Sequence, residues 1–154
     1  MIDNKVTLKI GILQADDVVP HLAEKYGEYP AMIQQLLSSA NDEKKVDLQF
    51  ATYAVNTGAY PADIDEVDAY VLTGSKSSVY EDVPWIVELG AFVRALHSRK
   101  KKLLGICFGH QMVAHALGGE TSLSTAGWSL GVKKTDPIAA NLLGNRPFNL
   151  IYSH

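Results

Sequence analysis

Cys107 is the single cysteine of the chain, and a glycine stands two residues to either side of it in Gly105-Ile106-Cys107-Phe108-Gly109-His110-Gln111. That spacing suits a nucleophile on a sharp strand-to-helix turn, the G-x-nucleophile-x-G elbow. Such a turn strains the backbone of the nucleophile and brings strand and helix so close that bulky residues two positions away would clash. It also sets the sulfur at a helix N-terminus, whose unpaired N–H groups and positive dipole end favour the thiolate. The amide of Phe108 would then face the oxygen of a tetrahedral intermediate. A buried structural cysteine with incidental glycines is the bland alternative. Both glycines and the flanking pattern argue against it.

An elbow needs a strand before it and a helix after it. Lys102-Leu103-Leu104-Gly105-Ile106 is short and apolar, and Gln111 to Leu117 reads as a helix that stops at Gly118-Gly119. Upstream, Val6 to Leu13 predicts a strand that runs into the polar loop Gln14-Ala15-Asp16-Asp17. A helical region follows in two pieces. The break is expected at Tyr29-Pro30, because a residue before proline avoids helical backbone; the second piece is Ala31 to Leu37. Val46, Leu48 and Phe50 alternate with polar neighbours as in a half-buried strand, and Ala69 to Leu72 is another short strand. Trp85, Ile86, Leu89, Phe92, Val93 and Leu96 mark an amphipathic helix. Beyond Gly119, Trp128 to Val132 and Phe148 to Tyr152 read as strands between turns. Strand–helix alternation over the first two-thirds predicts an α/β three-layer sandwich around a mostly parallel sheet.

Composition narrows the classes. The chain has 154 residues, 47% hydrophobic and 20% charged, with a formal net charge of −3. This is ordinary for a globular domain with a core of its own. No surface for nucleic acid and no membrane span are indicated. The basic run Arg99-Lys100-Lys101-Lys102 reads as charge at a helix C-terminus. One cysteine excludes an intrachain disulfide and fits a reducing compartment, so a cytoplasmic location is expected. No metal-ligand spacing, phosphate loop or dinucleotide fingerprint is present, so no cofactor is expected.

A second loop bears on the same chemistry. In open parallel sheets, ligands bind beyond the C-terminal ends of the strands. Thr73-Gly74-Ser75-Lys76-Ser77-Ser78 leaves such an end, and its small residues let backbone amides face a ligand. Gly74 or Ser75 is placed to give a second oxyanion donor. A plain turn rich in Ser and Gly is the alternative; beside an elbow the functional reading is favoured.

The heptapeptide around Cys107, continued by Ala114 and Ala116-Leu117-Gly118-Gly119, resembles class I glutamine amidotransferase domains, in particular the glutaminase domain of GMP synthetase and its stand-alone relatives. Lys9-Ile10-Gly11-Ile12-Leu13-Gln14, Leu72-Thr73-Gly74-Ser75, Ser78 to Asp82 and Pro84-Trp85 resemble the stand-alone group. The resemblance implies a flavodoxin-like α/β fold over residues 1–154. It also implies attack of Cys107 on the side-chain amide of glutamine, a γ-glutamyl thioester, and release of ammonia and then glutamate. Phe108 with Gly74 or Ser75 would form the oxyanion hole. Gln111, and more loosely Ser153 and His154, would touch the substrate.

Two departures qualify this. The family carries its catalytic histidine and glutamate in a His-Pro-Glu motif, and none occurs in these 154 residues. His154 falls in the family's Ser-His segment and is not the base; His21, His97, His110 and His115 each have a blander reading on a helix. The expectation is a domain incomplete at its C-terminal side and inactive in isolation, with an active parent. Many relatives also have Gly-Gly-Pro where this chain has Gly74-Ser75-Lys76, so Lys76 is expected to leave the loop unpinned. Two other functions stay open: a γ-glutamyl peptidase using the same thioester chemistry, and a catalytically dead regulatory or binding module. The substrate is then glutamine or a γ-glutamyl compound; the sequence names no synthetase partner or ammonia acceptor.

Overall fold

Residues 6–41, 46–136 and 146–153 are described by the structure, a computed structural model. Strand β1 is Val6–Gln14, followed by helices α1 (Pro20–Tyr26) and α2 (Tyr29–Ala40), and then strand β2 (Val46–Ala54). Strand β3 (Ala69–Leu72), helix α3 (Pro84–Ser98), strand β4 (Lys102–Gly105) and helix α4 (Phe108–Ala116) come next. The last elements are β5 (Leu130–Thr135) and β6 (Phe148–Ser153). The chain divides into two compact units, Met1–Thr121 and Ser122–His154.

The first unit holds a four-stranded, all-parallel sheet in the order β2-β1-β3-β4. β1 and β3 are the two interior strands; β1 is buried without interruption from Ile10 to Gln14, and β3 is apolar throughout. Alternation along the strands deals side chains to two faces. Ile10, Ile12 and Val71 meet Ile33 of α2 on one face. Leu13, Tyr70 and Leu72 meet Leu89, Val93 and Leu96 of α3 and Phe108 and Met112 of α4 on the other. This is the expected three-layer α/β arrangement.

The helical region breaks two residues earlier than proline placement suggests. Gly27, at φ 80°, ends α1 and donates its N–H to the Ala23 carbonyl at 2.8 Å. Pro30 falls in the first turn of α2, where its missing N–H costs nothing, so Tyr29 begins the helix. The basic run also does more than end a helix. Arg99 and Lys101 both pair with Asp65, and Lys101 Nζ donates to the Val67 carbonyl at 2.9 Å, bracing the turn before β3.

In the second unit β5 and β6 form an antiparallel ribbon, with Leu130 opposite Ser153 and Val132 opposite Ile151. The expected strand from Trp128 starts instead at Leu130. Thr135 Oγ1 lies 3.2 Å from Tyr152 Oη, and Lys133 Nζ sits 5.6 Å from the centre of the Tyr152 ring. Leu130, Val132 and Ile151 are exposed.

Tyr70 is 1% exposed, donates to the Ile64 carbonyl at 2.8 Å and stands edge-on to Phe92. Burial, then Glu66, Asp65 and Asp63, push its phenol up to about 12, so it stays a neutral donor. Its ring lies against the backbone of Gly11, where an added Cβ would be 2.8 Å from Tyr70 Cδ1 and 3.1 Å from Tyr53 Cε2. A ring held on three sides cannot step aside. Gly11→Ala is therefore expected to destabilise the protein by about 1–3 kcal/mol. A denaturant midpoint indistinguishable from wild type would contradict this.

Candidate active site

The strand order creates one place where the chain's connections diverge. From β1 the chain runs to β2 on one side, while β3 and β4 lie on the other. The crevice at such a switch point, beyond the C-terminal ends of β1 and β3, is where open α/β sheets take ligands. Gln14 to Asp17 leave β1 there, Thr73 to Lys76 leave β3, and Cys107 follows β4.

Cys107 is exposed at the N-cap of α4, with φ 52° and ψ −110°. A left-handed backbone at a residue with a Cβ costs roughly 1–3 kcal/mol. Packing just beyond it offsets the strain. Phe108 is 1% exposed against Trp85, with ring centres 5.7 Å apart, and burying such a side chain contributes about 1.5–3 kcal/mol. Met112 and Ala116 continue the same buried stripe.

Both flanking glycines are required by contact. A Cβ on Gly105 would sit 2.4 Å from the Gly109 carbonyl carbon and 2.5 Å from the His110 nitrogen. A Cβ on Gly109 would sit 2.4 Å from the Leu72 carbonyl oxygen. That same oxygen accepts from the Ile106 N–H at 3.0 Å. The elbow is thus wedged onto the end of β3, and the sequence expectation of close crossing holds in detail.

The oxyanion-loop candidates lie beside it. A Cβ on Gly74 would be 3.6 Å from Cys107 Cβ. The Thr73 N–H donates to the Leu13 carbonyl at 3.1 Å, and the Lys76 N–H to Asp16 Oδ2 at 2.9 Å. Neither amide is available to a ligand, which leaves those of Gly74 and Ser75 as candidates on this loop. Across the crevice, Phe108 is the first residue of α4 and precedes the first intrahelical bond, from the Gln111 N–H to the Cys107 carbonyl at 3.0 Å. Gln111 stands one turn on, on the face of Cys107.

Lys76 is pinned, contrary to the expectation of an unpinned loop. Its N–H and its ammonium both reach Asp16, the latter at 3.1 Å, so a carboxylate does what a proline ring would do elsewhere. Burial works to raise the Asp16 carboxyl. The Lys76 N–H and ammonium and the Asp17 N–H outweigh it and hold the group below its ordinary 3.8. Its contribution to stability is therefore complete above about the ordinary value and is lost as pH falls through the lowered one. Sequence reasoning singled out the loop of Asp16 but not this role. The signal lies in an acidic residue just past β1 and a lysine just past β3, and it becomes legible only once those strands are known to be neighbours.

Ser153 ends β6 in the second unit, opposite Leu130; His154 lies outside the described residues. His115 Nδ1 is 2.8 Å from Thr121 Oγ1, and His21, His97 and His110 are exposed. A depression of about 250 Å³ lined by Phe50, Tyr53, Glu66 and Val67 includes no residue of the elbow or of the two loops. Among the described residues, no group of three or more His, Cys, Asp or Glu could hold a metal ion, and no helix is long and apolar enough to cross a membrane.

Sheet order and elbow together define a class, the flavodoxin-like α/β proteins with a cysteine raised on a strand–helix turn. Residues 31–149 match the profile of the family described as glutamine amidotransferase class-I. The chain belongs to that family. It is 36% identical over 129 residues to a glutamine amidotransferase-like protein of Schizosaccharomyces pombe, covering 79% of this chain and 52% of that protein. It is 32% identical over 104 residues to gamma-glutamyl peptidase 4 of Arabidopsis thaliana, covering 66% of this chain and 39% of that one. The crystal structure of a glutamine amidotransferase from Thermotoga maritima shares the fold, with a TM-score of 0.71 at 18% identity over 98% of this chain and 61% of that one. The chain thus spans about half or less of the length of these two curated relatives.

Contacts at the elbow are backbone against backbone and no rotamer relieves them. Gly105→Ala or Gly109→Ala is expected to cost at least about 3 kcal/mol. Gly118, at φ 88° with nothing within 4 Å of an added Cβ, serves as a comparison. Gly118→Ala should cost only about 1–2 kcal/mol, from backbone conformation alone. Urea titrations of the three variants give the ranking; equal midpoints would refute the close-contact argument.

Proposed function

We propose that Cys107 is the nucleophile of a glutamine-amide hydrolase. The observation that carries this is the left-handed backbone of Cys107 between two glycines that admit no side chain. In the proposed reaction the sulfur attacks the side-chain carbonyl carbon of glutamine. The C–N bond breaks, the nitrogen takes up a proton and leaves as ammonia, and a γ-glutamyl thioester remains. Water then cleaves the thioester, giving glutamate and restoring the thiol. The oxyanion formed at each step is held by the Phe108 amide and by that of Gly74 or Ser75. Gln111 helps to hold the substrate; Ser153 and His154 are retained as further candidates.

The base of this reaction belongs, in the family resembled, to a His-Pro-Glu segment that these 154 residues do not contain. General acid–base assistance contributes about 10²–10⁴-fold. The 154-residue chain by itself is thus expected to hydrolyse glutamine at least about 10²-fold more slowly than the full-length protein.

A γ-glutamyl peptidase is the second reading. Several relatives that align with this chain carry that name, at 29–36% identity. The thioester chemistry is shared; only the leaving amine differs. In the full-length protein, Cys107→Ala should lower turnover by at least about 10³-fold for whichever substrate is used. Residual turnover within tenfold of wild type would exclude Cys107 as nucleophile. Protection of Cys107 from a glutamine-analogue electrophile then separates the readings. Stronger protection by glutamine supports the amidotransferase, and stronger protection by γ-glutamyl dipeptides supports the peptidase.

A further inference from the structure

The buried polar side chains among the described residues are Gln14, Asp16 and Thr73, all at the C-terminal ends of β1 and β3. They stand where the chain leaves β1 and β3, and the loop after β3 runs past Cys107, where a Cβ on Gly74 would be 3.6 Å from the Cys107 Cβ. Burying a carboxylate is costly unless donors satisfy it. Asp16 meets three: the Lys76 N–H at 2.9 Å, the Asp17 N–H at 2.9 Å and the Lys76 ammonium at 3.1 Å. Thr73 works from the same edge. Its Oγ1 accepts from the Ala15 N–H at 2.9 Å and donates to the Gly74 carbonyl at 3.0 Å.

These bonds hold both peptide groups of Ser75. The group before it is held by Thr73 through the Gly74 carbonyl. The group after it is held by Asp16 through the Lys76 N–H. A trans peptide is planar, with its carbonyl and N–H on opposite sides. Directing the Gly74 carbonyl toward the Thr73 hydroxyl therefore sends the Ser75 N–H the other way. Neither peptide can turn without giving up a bond to a buried side chain.

We propose that Asp16 is a positioning residue that, with Thr73, fixes the Ser75 N–H as the loop's oxyanion donor opposite the Phe108 amide. This rests on the reading of Cys107 as a nucleophile and selects one of its two candidate donors. The two contacts of Lys76 are unequal. Its side chain is 84% exposed while that of Asp16 is 13% exposed. Solvent screens the ammonium, and such a pair contributes little. The bond from the backbone N–H to a mostly buried carboxylate is the effective one.

The test uses the full-length protein with Asp16→Asn, Lys76→Met and Thr73→Val. Asp16→Asn should lower kcat by 10- to 10³-fold with KM within about threefold, because a misplaced oxyanion donor acts on the transition state. Its affinity for a γ-glutamyl aldehyde should fall by a similar factor. That probe adds the thiol to its carbonyl carbon, with the proton passing to oxygen, and the oxygen must occupy the hole. Alkylation by iodoacetamide, which forms no oxyanion, should stay within twofold of wild type. Lys76→Met should cost no more than about threefold in kcat. Amide hydrogen exchange at Gly74 to Ser77 should quicken at least tenfold in Asp16→Asn and little in Lys76→Met.

Unchanged kcat and unchanged exchange in Asp16→Asn would overturn the proposal. So would a parallel fall in iodoacetamide reactivity, which marks general damage to the elbow. If Asp16→Asn does not fold, Thr73→Val, which frees the peptide group before Ser75 instead of the one after it, must show the same split between kcat and alkylation. If the wild-type protein turns over neither glutamine nor γ-glutamyl peptides, the nucleophile reading fails and the donor role falls with it. The exchange data then decide whether Asp16 holds the loop.

Discussion

The close approach of α4 to the end of β3 governs this molecule. The Cα of Gly109 rests against the Leu72 carbonyl, and Gly105 rests against the backbone of Gly109 and His110. With no side chain at either position, the helix starts directly over the sheet instead of beside it. Cys107 has to turn through a left-handed conformation to make that crossing. Phe108, Met112 and Ala116 are then delivered into the core above Leu13 and Leu72. Strain at one residue and burial at the next are two parts of one arrangement. The apolar contact holds the thiol where it is.

The pairing of β1 with both β2 and β3 has a similar reach. It makes β1 central, which is why its second half is buried throughout, and it brings the loops after β1 and β3 side by side. A carboxylate from one loop can then satisfy the backbone of the other at modest cost, since each donor it takes would itself be unsatisfied without it. Polar order at the sheet edge follows from hydrophobic order within the sheet.

Much of this was legible in the residues alone. Alternation in Val46, Leu48 and Phe50 and the short apolar run Ala69–Leu72 correspond to β2 and β3, because period-two burial is a local property. Glycine spacing around Cys107 foretold the elbow, because the clash at Gly105 comes from Gly109 and His110 in the same short segment; that Gly109 abuts Leu72 depends on strand pairing. Chain punctuation was harder to read. Gly27 ended α1 and Pro30 opened α2, whereas proline placement had put the break at Tyr29-Pro30. The pinning of Lys76 was not legible, because its partner is sixty residues away in the chain.

What the sequence by itself determined is the local chemistry: a lone thiol on a strand–helix turn, the apolar faces of the elements around it, and membership in a family recognisable from short motifs. Those depend on contacts between near neighbours in the chain, which residue type and spacing encode directly. The tertiary structure alone decided which loops meet at the thiol and which amides remain for a ligand. The Thr73 amide is taken by Leu13 and the Lys76 amide by Asp16. Both bonds exist only because β1 and β3 pair, and strand order reflects the packing of the whole sheet, which no single segment encodes.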